Sequence, residues 1–247
     1  MILITRPKEQ SKNLETILGL KGYKTCLESL YRIKYLKIKI SHNKNNYYIF
    51  PSIHSVQSLI SSKQINKFRE ANILAIGNKV KQALISAGCK KILLTSIDSD
   101  TLVKQINKTN FRNYNFIYLC SNIVNTDFLK KTKKHQISLQ TKIIYKTIPA
   151  IKFQNKLINN LKLGNIFGAT FLSKLAADTF LNLSLRNDCL SATREIVIYC
   201  ISERVAASFK KANFKFVYVA STPSEDSLIR SIKKKHLYAI SKNRKMP

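Results

Sequence analysis

The chain repeats itself, and the repeat narrows what it can fold into. Residues 74–99 (LAIGNKVKQALISAGCKKILLTSIDS) align without a gap on residues 199–224 (YCISERVAASFKKANFKFVYVASTPS). Each segment reads as an apolar strand, a small or polar turn, a helix, a second apolar strand and a polar turn. Identity is low, with Ile76/Ile201, Val80/Val205, Ala87/Ala212, Lys90/Lys215, Ser96/Ser221 and Ser99/Ser224 matching, so the pattern carries the alignment. A second pair supports it: residues 48–52 (YIFPS), followed by Val56 and Leu59, resemble residues 169–173 (ATFLS), followed by Ala177 and Phe180. Two similar α/β units in one chain predict a cleft between them, and a cleft is where a function is to be sought.

Short apolar runs ending in polar or glycine turns predict strands at 2–5, 24–28, 47–50, 72–76, 91–95, 115–120, 140–145, 168–172, 195–201 and 214–220. Helical spacing separates most of them, as in Val56-Leu59-Ile60, Val80-Ala83-Leu84 and Val205-Ser208-Phe209, which is the signature of parallel βαβ sheets. Ten strands predict two five-stranded, doubly wound sheets. The second unit offers only three strands from residue 168 onward, whereas the first offers five between 47 and 145. The N-terminus supplies the difference, because strand 2–5, a helix and strand 24–28 have the layout of 117–145. The expected organisation is therefore a discontinuous α/β domain of residues 1–30 plus 150–247 and an inserted α/β domain of 40–140. Crossing strands at 31–39 and 141–149, rich in β-branched and aromatic residues, are expected to pair as a two-stranded hinge.

A chain of 247 residues, 45% hydrophobic, has enough apolar content for two modest cores. No apolar run approaches the roughly 20 residues of a membrane span, and Met1 leads directly into a strand, so the expectation is a cytoplasmic protein without membrane contact. The cysteines Cys26, Cys89, Cys120, Cys189 and Cys200 show no C-x-x-C spacing and read as buried free thiols. The formal net charge of +30 would attract polyanions and supports nucleic-acid binding. The lysines are scattered, however, among abundant Ile and Asn, and a solvated lysine surface is the simpler reading. The runs at 130–134 and 233–235 fall late in predicted helices, where cations suit the helix dipole.

Ligands of doubly wound sheets bind beyond the carboxyl ends of the strands, beside helix N-termini that favour anions. Those positions hold Arg6, Ser52, Gly77-Asn78-Lys79, Ser121-Asn122, Ser173 and Ser202-Glu203-Arg204. Any one of the hydroxyls serves equally as a helix cap. Their recurrence in two domains facing one cleft suits a substrate bearing many carboxylates. The histidines His42, His54, His135 and His236 lack ligand spacing, so no metal is expected, and neither nucleotide-binding glycine motif occurs. Glu203 and Glu225, at strand ends, read as helix-dipole partners and not as a catalytic pair. Tyr145, in the second crossing strand, is expected to look into the cleft. Its phenol stays protonated at neutral pH and suits proton donation to a departing oxygen, unless it is one more of the 11 tyrosines that fill strands.

Several motifs carry a family likeness: 2–7 (ILITRP), 49–56 (IFPSIHSV), 75–78 (AIGN) with Ala83-Leu84 and Gly88, 144–147 (IYKT), 200–202 (CIS) with Val205-Ala206, and 221–224 (STPS) with Leu228. In order and spacing the chain resembles the uroporphyrinogen-III synthases nearly end to end. The resemblance implies two flavodoxin-like domains joined by a two-stranded ladder, one domain discontinuous. It implies a lyase that cyclises the linear tetrapyrrole hydroxymethylbilane with inversion of ring D through a spiro intermediate, with no cofactor or metal. The sequence itself, lacking an evident extra apolar face, suggests a monomer. The resemblance places Tyr145 as the residue assisting hydroxyl departure. Ser52, Gly77, Asn78, Ser173 and Ser202 would hold acetate and propionate groups, with Lys79 and Arg204 available to grip carboxylates directly. Two positions depart from the family pattern: Pro51-Ser52-Ile53 stands where Thr-Ser-Pro is common, and Lys79-Val80 replaces a hydroxyl-bearing turn. The alternative reading is a two-domain polyanion or nucleic-acid binder without catalysis.

Overall fold

Ile2–Ile4, Gly168–Phe171 and Val197–Cys200 are buried along their whole length, as strands covered by helices on both faces must be. A computed structural model describes residues 1–41, 43–108 and 114–232. The chain divides into two compact units, one of Met1–Arg32 and Ile148 onward, the other of Ile33–Thr147.

The first unit contains β1 (Ile2–Ile4), α1 (Lys8–Leu20), β2 (Thr25–Leu27), α6 (Asn155–Lys162), β9 (Gly168–Phe171), α7 (Lys174–Arg186), α8 (Leu190–Arg194), β10 (Val197–Cys200), α9 (Glu203–Lys211), β11 (Val217–Val219) and α10 (Glu225–Ser231). Its sheet runs β11-β10-β9-β1-β2, all parallel. Side chains alternate between two cores. Leu3, Ala169, Phe171, Ile198 and Cys200 pack with Phe180 and Phe209 on one face. Ile2, Ile4, Val197 and Tyr199 pack with Leu14, Leu18 and Leu228 on the other.

The second unit contains β4 (Asn46–Phe50), α2 (Ile53–Ser61), β5 (Asn72–Ile76), α3 (Asn78–Ser86), β6 (Ile92–Ser96), α4 (Ser99–Lys108), β7 (Asn115–Ser121) and α5 (Thr126–Lys134). Most of β8 (Leu139–Pro149) and the end of β3 (Tyr31–Tyr35) also fall within it. The sheet order is β3-β8-β7-β4-β5-β6. Tyr48, Phe50, Ile73 and Ala75 face the helices α2 and α3 through Val56, Leu59, Val80 and Leu84. Ile49, Leu74, Tyr118 and Cys120 face α4 and α5 through Leu102, Ile106 and Phe128. Leaving β3 aside, the two sheets have one strand order: β8-β7-β4-β5-β6 corresponds to β2-β1-β9-β10-β11.

The sheets depart from the expected pair of fives. The described residues hold eleven strands, in sheets of five and six. Strand 140–145 and crossing segment 141–149 are a single strand, β8, because nothing between Thr141 and Ile148 breaks an extended β-branched and aromatic run. β3 adds to its edge as the sixth strand, with Leu36 N–H donating to Ile144 O. The first crossing segment is a strand only to Tyr35. Beyond that, Gln64 takes over the backbone: its Oε1 accepts from Ile40 N–H at 2.8 Å and its Nε2 donates to Ile38 O at 2.5 Å. The lysine run at 233–235, with His42 and His236, lies outside the described residues.

Glu28 follows β2 and is 3% exposed, where its Oε1 accepts from Gln154 N–H at the start of α6 at 3.2 Å. Burial raises its pKa above the ordinary carboxylate value, against the smaller opposing effect of that hydrogen bond. A carboxyl with a raised folded-state pKa favours folding below its unfolded pKa, and the benefit is lost as pH rises through the folded value. Glu28→Gln keeps the acceptor and removes the charge. It is expected to raise the thermal unfolding midpoint at pH 7, with the gain shrinking as pH falls toward about 4. Calorimetry across that range checks this, and an unchanged or lower midpoint at pH 7 contradicts it.

Candidate functional site

Two serines hold the same place in the two units. Ser52 follows β4 and caps α2, its Oγ accepting from His54 N–H at 3.2 Å. Ser173 follows β9 and caps α7, its Oγ accepting from Ala176 N–H at 3.2 Å. The backbone is extended at both, with φ of −156° and −151°, as helix caps require.

Tyr145 meets the first of them. It lies late in β8, opposite Ser121 of β7, and is 6% exposed. Its phenol stands beside the Ser52 and Ser55 hydroxyls. Ser55 is itself fixed, its Oγ donating to Leu119 O at 2.7 Å, and one turn on Ser58 Oγ donates to Ile144 O at 2.5 Å. These two bonds tie α2 to β7 and β8 and hold the phenol in place. The His54 ring lies 5.7 Å from the Tyr145 ring, and Tyr35 O–H reaches both Gln57 Oε1 and His54 Nδ1. Burial raises the Tyr145 pKa, while the Ser52 and Ser55 hydroxyls oppose the rise. The phenol is therefore protonated at neutral pH and sits by the N-terminus of α2, whose dipole favours a developing negative charge.

The other expected positions divide into those already engaged and those open to solvent. Ser121 is buried and its Oγ accepts from Ile123 N–H at 2.9 Å, while Asn122 Oδ1 accepts from Thr147 N–H at 2.8 Å. Both close the turn after β7 onto β8. Gly77 has φ 93°, the left-handed region that disfavours a side chain, and donates its N–H to Ser96 O at 2.7 Å. Asn78 and Lys79 are exposed at the start of α3. In the first unit Ser202 precedes α9 and makes no side-chain capping bond, and Arg204 is exposed one residue into the helix. Lys79 and Arg204 occupy equivalent positions of the repeat, each the second residue of a helix lacking a side-chain cap. A cation there opposes the helix dipole, so it does not stabilise the helix.

Arg6 differs from its expected setting. Its Nη1 pairs with Glu225 Oε2 at 2.5 Å and its Nη2 donates to Gln10 Oε1 at 3.2 Å. Glu225 is thus an ion-pair partner as well as a first-turn carboxylate, because α1 and α10 lie on the same face of the sheet. Glu203 pairs instead along its own helix with Lys210, at 2.8 Å. Ser55 and His54 lie within the 49–56 motif but take no role from it, and Tyr35 belongs to no motif, so none of the three reads as a site residue from sequence. Ser55, three residues after Ser52, nonetheless carries a legible signal as a second hydroxyl in the first turn of α2. Among the described residues no group of three or more His, Cys, Asp or Glu side chains is placed to hold a metal ion.

A family model described as uroporphyrinogen-III synthase HemD matches residues 3–230. No curated protein matches significantly. Among solved structures, a uroporphyrinogen-III synthetase from Helicobacter pylori superposes with a TM-score of 0.65 at 16% identity, covering 93% of this chain and 96% of that one. A mutant uroporphyrinogen III synthase from the extremely thermophilic bacterium Thermus thermophilus gives a TM-score of 0.64 at 12% identity, covering 97% and 99%. At such identities the superpositions establish the fold, and the family model, spanning nearly the whole sequence, establishes descent. The chain belongs to the uroporphyrinogen-III synthase family, the cyclising lyases of tetrapyrrole biosynthesis.

Proposed function

We propose that Tyr145 is the proton donor of this synthase and that the uncapped helix starts of both units hold the carboxylates of its substrate. Hydroxymethylbilane must lose its terminal hydroxyl. The C–O bond breaks as the Tyr145 proton passes to the departing oxygen, giving water and an azafulvene cation equivalent. The substituted α-carbon of ring D attacks the azafulvene methylene to form the spiro intermediate, the bond from that carbon to its original bridge breaks, and the freed bridge carbon bonds to the other α-carbon of ring D, closing the macrocycle with ring D inverted. Loss of a proton from the closed ring balances the one Tyr145 gave. The observation that carries this assignment is the burial of a phenol beside the Ser52 and Ser55 hydroxyls at the start of α2. That setting supplies a proton and then tolerates the phenolate for as long as it lasts.

Lys79 and Arg204 support the second half of the reading. Each is an exposed cation above backbone N–H groups with no side-chain cap, so a carboxylate bound there meets both a charge and a helix start. Gly77, Asn78, Ser202, Arg6, Ser121, Asn122 and Ser173 line the same carboxyl ends of strands and contribute to holding the substrate. Ser52 serves chiefly through Tyr145, since its hydroxyl is already bonded to His54 N–H. No helix among the described residues is long and apolar enough to cross a membrane. A cytoplasmic monomer without bound cofactor is the accompanying proposal.

Freshly prepared hydroxymethylbilane is expected to give predominantly type III uroporphyrinogen with the purified chain, resolved by chromatography after oxidation. Type I product alone, at the rate seen without protein, contradicts the assignment, and salt-sensitive duplex DNA binding in its place favours the polyanion reading. Tyr145→Phe is expected to lower kcat about 100-fold with little change in KM, since the lost contact acts on the departing hydroxyl. Full activity in that variant removes Tyr145 from the chemistry.

A further inference from the structure

Beside Tyr145 lies a histidine whose orientation is fixed by its own set of hydrogen bonds. The His54 and Tyr145 rings are 5.7 Å apart, centroid to centroid, at an interplanar angle of 52°. Tyr35 of β3 and Gln57 of α2 hold the His54 ring through one nitrogen. Tyr35 O–H donates to Gln57 Oε1 at 2.5 Å, and His54 Nδ1 lies 3.1 Å from the Tyr35 oxygen and 3.2 Å from the same Gln57 oxygen. Because the Tyr35 proton is committed to Gln57, both oxygens face Nδ1 as acceptors, and Nδ1 carries a hydrogen. The nitrogen that gains or loses a proton is therefore Nε2. The ring keeps one orientation in both charge states, and its titration changes only the charge presented to Tyr145.

Helix stability does not account for the placement. His54 is the second residue of α2, where a positive charge opposes the helix dipole, and it is only partly buried. Its titratable neighbours come from other strands: Tyr35 of β3 and Tyr145 of β8, with Cys120 of β7 beside the Tyr145 phenol. Burial raises Tyr145 and pushes Cys120 up to about 11, so both are uncharged at neutral pH. Lys34 and Lys146, which adjoin the two tyrosines along β3 and β8, are exposed. A histidine ordinarily changes charge between about pH 5 and 8. Once Tyr145 has given up its proton, a cationic ring at this distance attracts the phenolate, and a neutral ring does not.

We infer that His54, oriented by Tyr35 and Gln57, is a positioning residue that acts through Tyr145: its imidazolium stabilises the phenolate left by proton donation. The inference rests on the synthase reading and on Tyr145 as the proton donor. Proton donation is then faster on the acid side and slows as pH rises and the ring loses its Nε2 proton.

The dependence of kcat on pH tests it, with type III product from hydroxymethylbilane followed between about pH 5.5 and about pH 8.5 and the spontaneous rate subtracted at each point. Wild-type kcat is expected to fall about fivefold through a single step, a modest factor because the two rings lie near solvent. His54→Gln is expected to be flat at the high-pH value of wild type, with KM within about twofold. Tyr35→Phe takes one acceptor from the charged ring and is expected to move the step to lower pH. A readout independent of turnover is the NMR resonance of Tyr145 in a chain labelled with carbon-13 at the tyrosine ζ carbons, assigned by its absence in Tyr145→Phe. It is expected to shift through the same step in wild type and to stay fixed in His54→Gln. A step that survives in His54→Gln overturns the proposal, as does a kcat lowered by one factor at every pH, which marks a structural role. An unmoved step in Tyr35→Phe, or a wild-type Tyr145 resonance that ignores pH across this range, overturns it as well. Any of these beside normal type III formation leaves the synthase reading standing, whereas type I product alone from the wild-type chain overturns that reading and this proposal together.

Discussion

A parallel strand pair has to be joined by a crossover and not by a tight turn, and that obligation places the helix starts of each unit along the carboxyl edge of its sheet. Ser52, Gly77, Ser173 and Ser202 all sit there because each ends a strand and opens a helix. Backbone N–H groups at those starts lack partners within their own helices, and the chain answers in two ways. Ser52 and Ser173 satisfy them with a hydroxyl, while Gly77 and Ser202 provide no side-chain bond. The same division occurs in both units at corresponding strands. The capped start at Ser52 lies beside Tyr145, and the uncapped starts carry the exposed cations Lys79 and Arg204.

The repeat made most of this legible. Its period determines which strands correspond, and the hydroxyl at the end of each short apolar run marks Ser52 and Ser173 as equivalent from sequence alone. What the repeat did not contain was less accessible. β8 reads as two segments because the expectation of five strands per sheet has no place for an 11-residue one. β3 alternates partly buried and exposed residues, a pattern shared by any ribbon, and its membership of a sheet depends on the edge that β8 leaves open. The Arg6–Glu225 pair joins residues 219 positions apart, and only the packing of α1 and α10 on one face brings them together. Ser55, although inside the 49–56 motif, becomes visible as a site residue only through its place beside the Tyr145 phenol.

The net charge of +30 contributes less to the architecture than its size suggests. Four of the five ion pairs among the described residues join side chains at least 41% exposed, where solvent and salt leave little net attraction. The exception is Arg6–Glu225, at 23% and 12% exposure. The scattered lysines keep the surface solvated. Lys79 and Arg204, the cations proposed to hold substrate, are set apart by their position at helix starts and not by number.

The five cysteines are all buried and unbonded to one another, three in the first unit and two in the second. Burial pushes Cys89 and Cys120 up to about 11 and Cys200 to about 12, and raises Cys26 and Cys189 as well. Thiols of this kind are inert toward alkylating reagents while the fold is closed and react once it opens. The chain therefore carries its own chemical clock: the rate at which each thiol is modified times the opening of the fold around it, with three thiols placed in the first unit and two in the second.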